Sequence, residues 1–266
     1  MENISTFAGS ALVKIGGFLL LWLILWIPIA FFLGGKLNWK LGQPATTAQK
    51  IPLVVTLYLL APLPVWALGR LENTSIKDYG GFESGSLLQG IAIGLTGIVV
   101  VYGLESLLGW VQWCGSRWSQ LLKGIIPLGI LTLGLAGAEE FIFRGIFFSQ
   151  LLDDYGVIGG AIISSMIFAL LHLLWERRET LTQLPGLWLM GIILVVAVGA
   201  DGGNWGLAWG LHGGWIWGLA MLDSSGIVTY RPGISPWLIG FNGSPIAGMA
   251  GILCLLLTGL GIWRFQ

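Results

Sequence analysis

The sequence predicts an all-α fold, a polytopic transmembrane helix bundle with about eight spans, and three observations predict it. Of its 266 residues, 55% are hydrophobic and only 10% are charged, against about 25% charged in soluble domains. Mean hydropathy is +0.84. The apolar residues also come in runs close to the roughly 20 residues that a helix needs to cross the hydrocarbon core. The 42 glycines suit such a bundle, because small residues let membrane helices approach closely.

Residues 15–34 follow Lys14. They exceed the roughly 7–15 residues of a signal-peptide core, and no small-x-small cleavage site follows, so they read as the first span. Residues 51–69 form the second, which Pro62 and Pro64 should kink. Runs 87–109, 121–150 and 156–175 supply the next three. The sixth, 183–200, and the seventh, 203–222, are separated only by Asp201 and Gly202, which predicts a tight helical hairpin. Residues 223–243, with Pro232, Pro236 and Trp237, read as an interfacial loop before the last span, 244–263. Together they make one membrane domain over 1–266, with no soluble domain and no internal repeat.

Lysines and arginines in the loops divide eight against four. Lys36, Lys40, Lys50, Arg117, Lys123, Arg177, Arg178 and Arg231 fall on one side; Lys14, Arg70, Lys77 and Arg264 fall on the other. The richer side is expected to be cytoplasmic, with both termini outside. Trp39, Trp110, Trp113, Trp118 and Trp237 near span ends fit an aromatic belt. A net charge of zero gives no basic surface for nucleic acid. Cys114 and Cys254 have neither ligand spacing nor a disulfide framework.

Six ionisable residues fall inside the spans: Glu105, Glu139, Glu140, Arg144, His172 and His212. A charge at the bilayer centre costs at least about 2.5–3.5 kcal/mol, so such groups should face inward and pair. Glu140 and Arg144 are four residues apart and share a helix face. Glu139 is rotated by about 100° from Glu140, which leaves it without that partner and makes it the candidate for chemistry. His172 shares a face with Ser165 and Phe168. In the seventh span Gly206, Gly210, Gly214 and Gly218 recur every fourth residue as a packing stripe, and His212 points to the other side with Trp205, Trp209 and Ile216. Glu105 reads as a helix-end or supporting residue. Taken singly, each histidine reads equally well as a hydrogen-bonded helix contact, and the Glu–Arg pair as structural. Three polar groups on three spans point instead to one pocket, as in helix-bundle sites.

Glu139-Glu140-x-x-x-Arg144, then Phe168-x-x-x-His172, then a motif beginning at His212, in this order on successive spans, resemble the CPBP family of intramembrane proteases (Abi, or type II CAAX prenyl endopeptidase-like). The third motif departs from the family pattern: Ile216 stands where the family has Asn or Asp. The resemblance covers a core of about residues 87–222. It implies an integral, multi-pass protein that cleaves a membrane-associated protein or peptide substrate within or at the lipid bilayer, and the short loops and small size read as those of a bacterial cell-membrane protein.

On that resemblance Glu139 would be the general base acting on a water, helped by His172. His212 would stabilise the oxyanion, and Glu140 with Arg144 would hold the helix and orient Glu139. Glu139, His172 and His212 also match a His₂Glu zinc set, which keeps Zn²⁺ open as a cofactor beside a metal-free glutamate mechanism. Two other readings stand beside the protease. One is a catalytically weak or inactive relative acting as a membrane scaffold or self-immunity protein, which Ile216 supports. The other is a proton or ion transporter with the same three groups as a relay, which the lack of an inverted repeat weakens.

Overall fold

In lipid every backbone N–H and C=O must be satisfied within its own segment, so apolar runs of this length become helices. The computed structural model describes residues 9–39, 46–174 and 177–264, without the side chains of residues 177–179. Lys40 and the side chains of Arg177 and Arg178, which entered the orientation count, lie outside the described residues.

The helices are α1 (Ala11–Lys36), α2 (Thr47–Leu60), α3 (Pro62–Glu72), α4 (Ser84–Leu107), α5 (Trp118–Glu140), α6 (Phe148–Leu171), α7 (Arg177–Ala200), α8 (Gly206–Ser225), the short α9 (Pro236–Ile239) and α10 (Met249–Arg264). A π-helical segment, Phe141–Phe147, joins α5 to α6. Two three-residue strands, β1 (Val111–Trp113) and β2 (Val228–Tyr230), pair antiparallel, with Gln112 opposite Thr229. The region expected to be a plain interfacial loop therefore contains β2 and α9.

Among the described residues, five stretches are long and apolar enough to cross a membrane. The expected eight spans are not reached by this measure, for physical reasons. The 60-residue stretch Gly115–Leu174 holds two of the expected spans, which bend apart at Gly156, where φ is +68°. The last helix has only 16 residues. In α8, glycines, tryptophans and His212 dilute the aliphatic side chains.

Proline shapes the second span as expected. Pro62 has no N–H to give Tyr58. The Ala61 N–H turns to the Tyr58 carbonyl at 3.1 Å, and Trp22 donates its indole N–H to the Leu57 carbonyl at 2.7 Å. The chain thus breaks into α2 and α3, and Tyr58 is left on the last turn of α2.

The centre of the bundle is α8 between α4 and α5. The glycine stripe does pack a neighbour: a Cβ on Gly94 would meet the Leu211 carbonyl at 2.8 Å, and one on Gly214 would meet the Ile91 carbonyl at 2.8 Å. On its other side α8 lays Trp209 and Trp217 over Gly137 and Gly129 of α5. Their indoles donate to the Leu133 and Ile125 carbonyls at 2.7 and 3.0 Å. Lys14 closes one end of the bundle, paired with Glu72 at 2.7 Å and donating to Gln150.

Candidate active site

Helix α5 delivers Glu139 and Glu140 as its last two residues, and the π segment carries Arg144 one turn on. A single-turn widening of this kind often marks a functional site. It stays tightly packed because Gly145 admits the Tyr79 carbonyl, which a Cβ would meet at 3.0 Å.

Glu140 is fully buried. Its Oε1 accepts from Arg144 Nη1 at 3.0 Å and from His212 Nδ1 at 2.7 Å. Arg144 also donates to the Gly191 carbonyl of α7 at 3.2 Å, where that helix presses against Ser165 of α6. The expected Glu140–Arg144 pair is present, with His212 as a third member from α8.

Glu139 is not the partnerless carboxylate that its helical rotation suggested. Tyr58 donates its hydroxyl to Glu139 Oε1 at 2.5 Å, and His212 Nε2 lies 3.7 Å from Oε2. Both His212 nitrogens therefore face carboxylate oxygens, with Nδ1 hydrogen-bonded to Glu140.

His172 ends α6. Its Nδ1 lies 2.8 Å from the Phe168 carbonyl, which can only accept, so the proton is on Nδ1 and Nε2 is left as an acceptor. The Phe168 ring is fully buried and ties the groups together. Its centroid is 4.6 Å from that of His172 and 5.8 Å from that of His212, and the Arg144 guanidinium lies 4.6 Å over its face, within cation–π range.

Glu139, His172 and Tyr58 line a cavity of about 220 Å³, with Lys50, Thr180 and Gln183 along it. His212 does not line it. A second cavity of about 830 Å³ reaches Tyr58 from the side of Arg70, Thr74 and Asp78 and touches Ala138. Tyr58 is the residue common to both. Lys50 and Arg70 stand near opposite ends of one 26-residue apolar stretch, so the two cavities reach Tyr58 from opposite ends of that stretch.

Among the described residues no group of three His, Cys, Asp or Glu side chains converges as a metal site would. His212, directed at two carboxylates, and His172, opening on the cavity, do not face one common point, so no step below runs through zinc. Glu105 lies apart from the site and accepts from Tyr230 of β2 at 3.1 Å. Asn204 caps the turn before α8 by accepting from the Gly81 N–H at 3.2 Å. Sequence reasoning missed Tyr58. The signal available was a tyrosine inside an apolar span, whose hydroxyl must find a partner there.

Residues 120–218 match the family model described as Rce1-like, type II CAAX prenyl endopeptidase. No curated protein matches the chain, and neither does any solved structure.

Proposed function

We propose, from the match of residues 120–218 to the Rce1-like family of type II CAAX prenyl endopeptidases, that the chain hydrolyses a peptide bond of a membrane-associated protein or peptide, with a glutamate-activated water. The observation that carries the proposal is Glu139. It is a carboxylate inside an apolar bundle, 14% exposed, opening on a cavity that it shares with the acceptor nitrogen of His172. A free energy of several kcal/mol opposes placing such a group there without use.

Glu139 takes the proton of a water held between it and His172 Nε2. Glu140, locked by Arg144 and His212, fixes the end of α5 and hence the carboxylate. His212 sits beneath Glu139 and steadies its negative charge. The catalytic core is proposed to lie in residues 87–222, helped by Tyr58 from outside it.

Glu139→Ala and His172→Ala are each expected to abolish cleavage of a farnesylated CAAX-type peptide by the purified protein, with the melting temperature in detergent kept within a few degrees. Wild-type turnover by Glu139→Ala removes the assignment. Ile216 favours a second reading, a weak or inactive relative serving as a scaffold. Lack of turnover by a well-folded wild-type protein, across a peptide library, selects it.

A further inference from the structure

A hydrolase of this kind needs a hydrogen-bond donor aimed where the scissile carbonyl turns into an oxyanion. His212 is absent from the cavity lining; its Nδ1 is taken by Glu140 at 2.7 Å, and its Nε2 stands 3.7 Å from Glu139 Oε2, beyond hydrogen-bond length. His172 has its N–H on the Phe168 carbonyl and presents an acceptor. Ile216 has no donor to give. The hydroxyl that reaches the carboxylate inside the cavity is that of Tyr58, 2.5 Å from Glu139 Oε1, at the junction of the two cavities. A peptide backbone lying in either cavity meets this residue.

We infer that Tyr58 is a second oxyanion donor, a catalytic residue contributed by α2 from outside the stretch 120–218 that matches the family. The inference rests on the hydrolase reading above. In the resting site the phenol is held by the Glu139 carboxylate, a strong acceptor. When water attacks, its O–H bond breaks and the proton goes to Glu139, while its oxygen bonds the carbonyl carbon. The π pair moves onto the carbonyl oxygen. Glu139, now neutral, releases the Tyr58 hydroxyl, which turns to the new oxyanion. On collapse the C=O re-forms, the C–N bond breaks, and the proton on Glu139 goes to the leaving nitrogen. Tyr58 keeps its own proton throughout, and its hydroxyl again donates a hydrogen bond to the carboxylate that returns.

The test uses the full chain in lipid nanodiscs and a fluorophore–quencher peptide ending in a farnesylated CAAX-type tail. Tyr58→Phe is expected to lower kcat about 10²–10³-fold with little change in KM, and Ile216→Asn in that background to recover part of the loss. A Tyr58→Phe protein with wild-type kcat overturns the inference. If that variant does not fold, 3,5-difluorotyrosine at position 58 keeps ring and donor but ionises at lower pH. The alkaline loss of kcat must then move to lower pH, and an unmoved profile overturns the inference. Glu139→Gln separates the two claims. If it is dead while Tyr58→Phe is fully active, only the role of Tyr58 falls. If it is active, or the wild-type protein cleaves nothing, the hydrolase reading falls and takes Tyr58 with it.

Discussion

Glu140 gathers two hydrogen-bond donors, Arg144 Nη1 and His212 Nδ1, on one carboxylate oxygen. Its side chain is 0% exposed and that of Arg144 is 1% exposed, so the pair sits at the low-dielectric limit. Removing one member of such a pair typically costs about 3–5 kcal/mol, because the other stays buried and uncompensated. Arg144→Ala is therefore expected to destabilise by about that amount, read as a lowered midpoint in denaturant unfolding of the detergent-solubilised protein. The conservative Arg144→Lys should also fail to restore stability, since a point charge cannot reach Glu140 and the Gly191 carbonyl together as the guanidinium fork does. A midpoint unchanged in Arg144→Ala would mean that the charges are hydrated in solution.

At the scale of elements, the α4–α8 contact depends on glycine at particular positions. A Cβ on Gly210 would collide with the Leu87 carbonyl, and its other near neighbours are the Ile91 nitrogen and Gly90 Cα at 2.7 and 2.8 Å. These are backbone atoms and cannot step aside. Gly210→Ala should cost about 1–3 kcal/mol through overpacking, whereas Gly16→Ala, with nothing within 4 Å, should leave the melting temperature unchanged. Equal behaviour of the two variants would show that the helices do not touch there. This stripe was legible in the sequence because a four-residue spacing of glycines has few other uses in a membrane helix. The break at Pro62 was legible because a missing N–H is a property of the residue alone. The β1–β2 pair was not. Its strands are three residues each and more than a hundred positions apart, too short for any alternation to show.

For the whole molecule, the expected sidedness can be read with a single thiol. Cys114 is exposed and Cys254 is partly buried. Hydrogen bonding from the Ser116 hydroxyl, with Arg117 nearby, holds the Cys114 thiol below its usual range. A lowered value means that the thiolate is populated at lower pH, so maleimide labelling of Cys114 should approach its full rate below the range of about 8.5 where a free cysteine does. On the lysine- and arginine-rich side, Cys114 should be protected from an impermeant maleimide in intact cells and labelled after permeabilisation. Labelling in intact cells would invert the topology. The polar site itself was mostly legible at this scale. Glu139, Glu140, Arg144, His172 and His212 stand out because charge in lipid is costly and each group must find partners. Tyr58 did not stand out, since an aromatic residue in such a span usually marks packing or an interface. That His212 serves Glu140 as well as Glu139 depends on how α5 and α8 cross, which no spacing along the chain encodes.

The separation of His212 from Glu140 by 72 positions has a consequence for biogenesis. Glu140 and Arg144 leave the ribosome almost together and can enter the lipid as a self-shielding couple. The histidine follows roughly 4–14 s later at ordinary translation speeds of about 5–20 residues per second. A nascent chain in that interval carries the ion pair without its third member, so Arg144 alone must compensate Glu140 until α8 arrives.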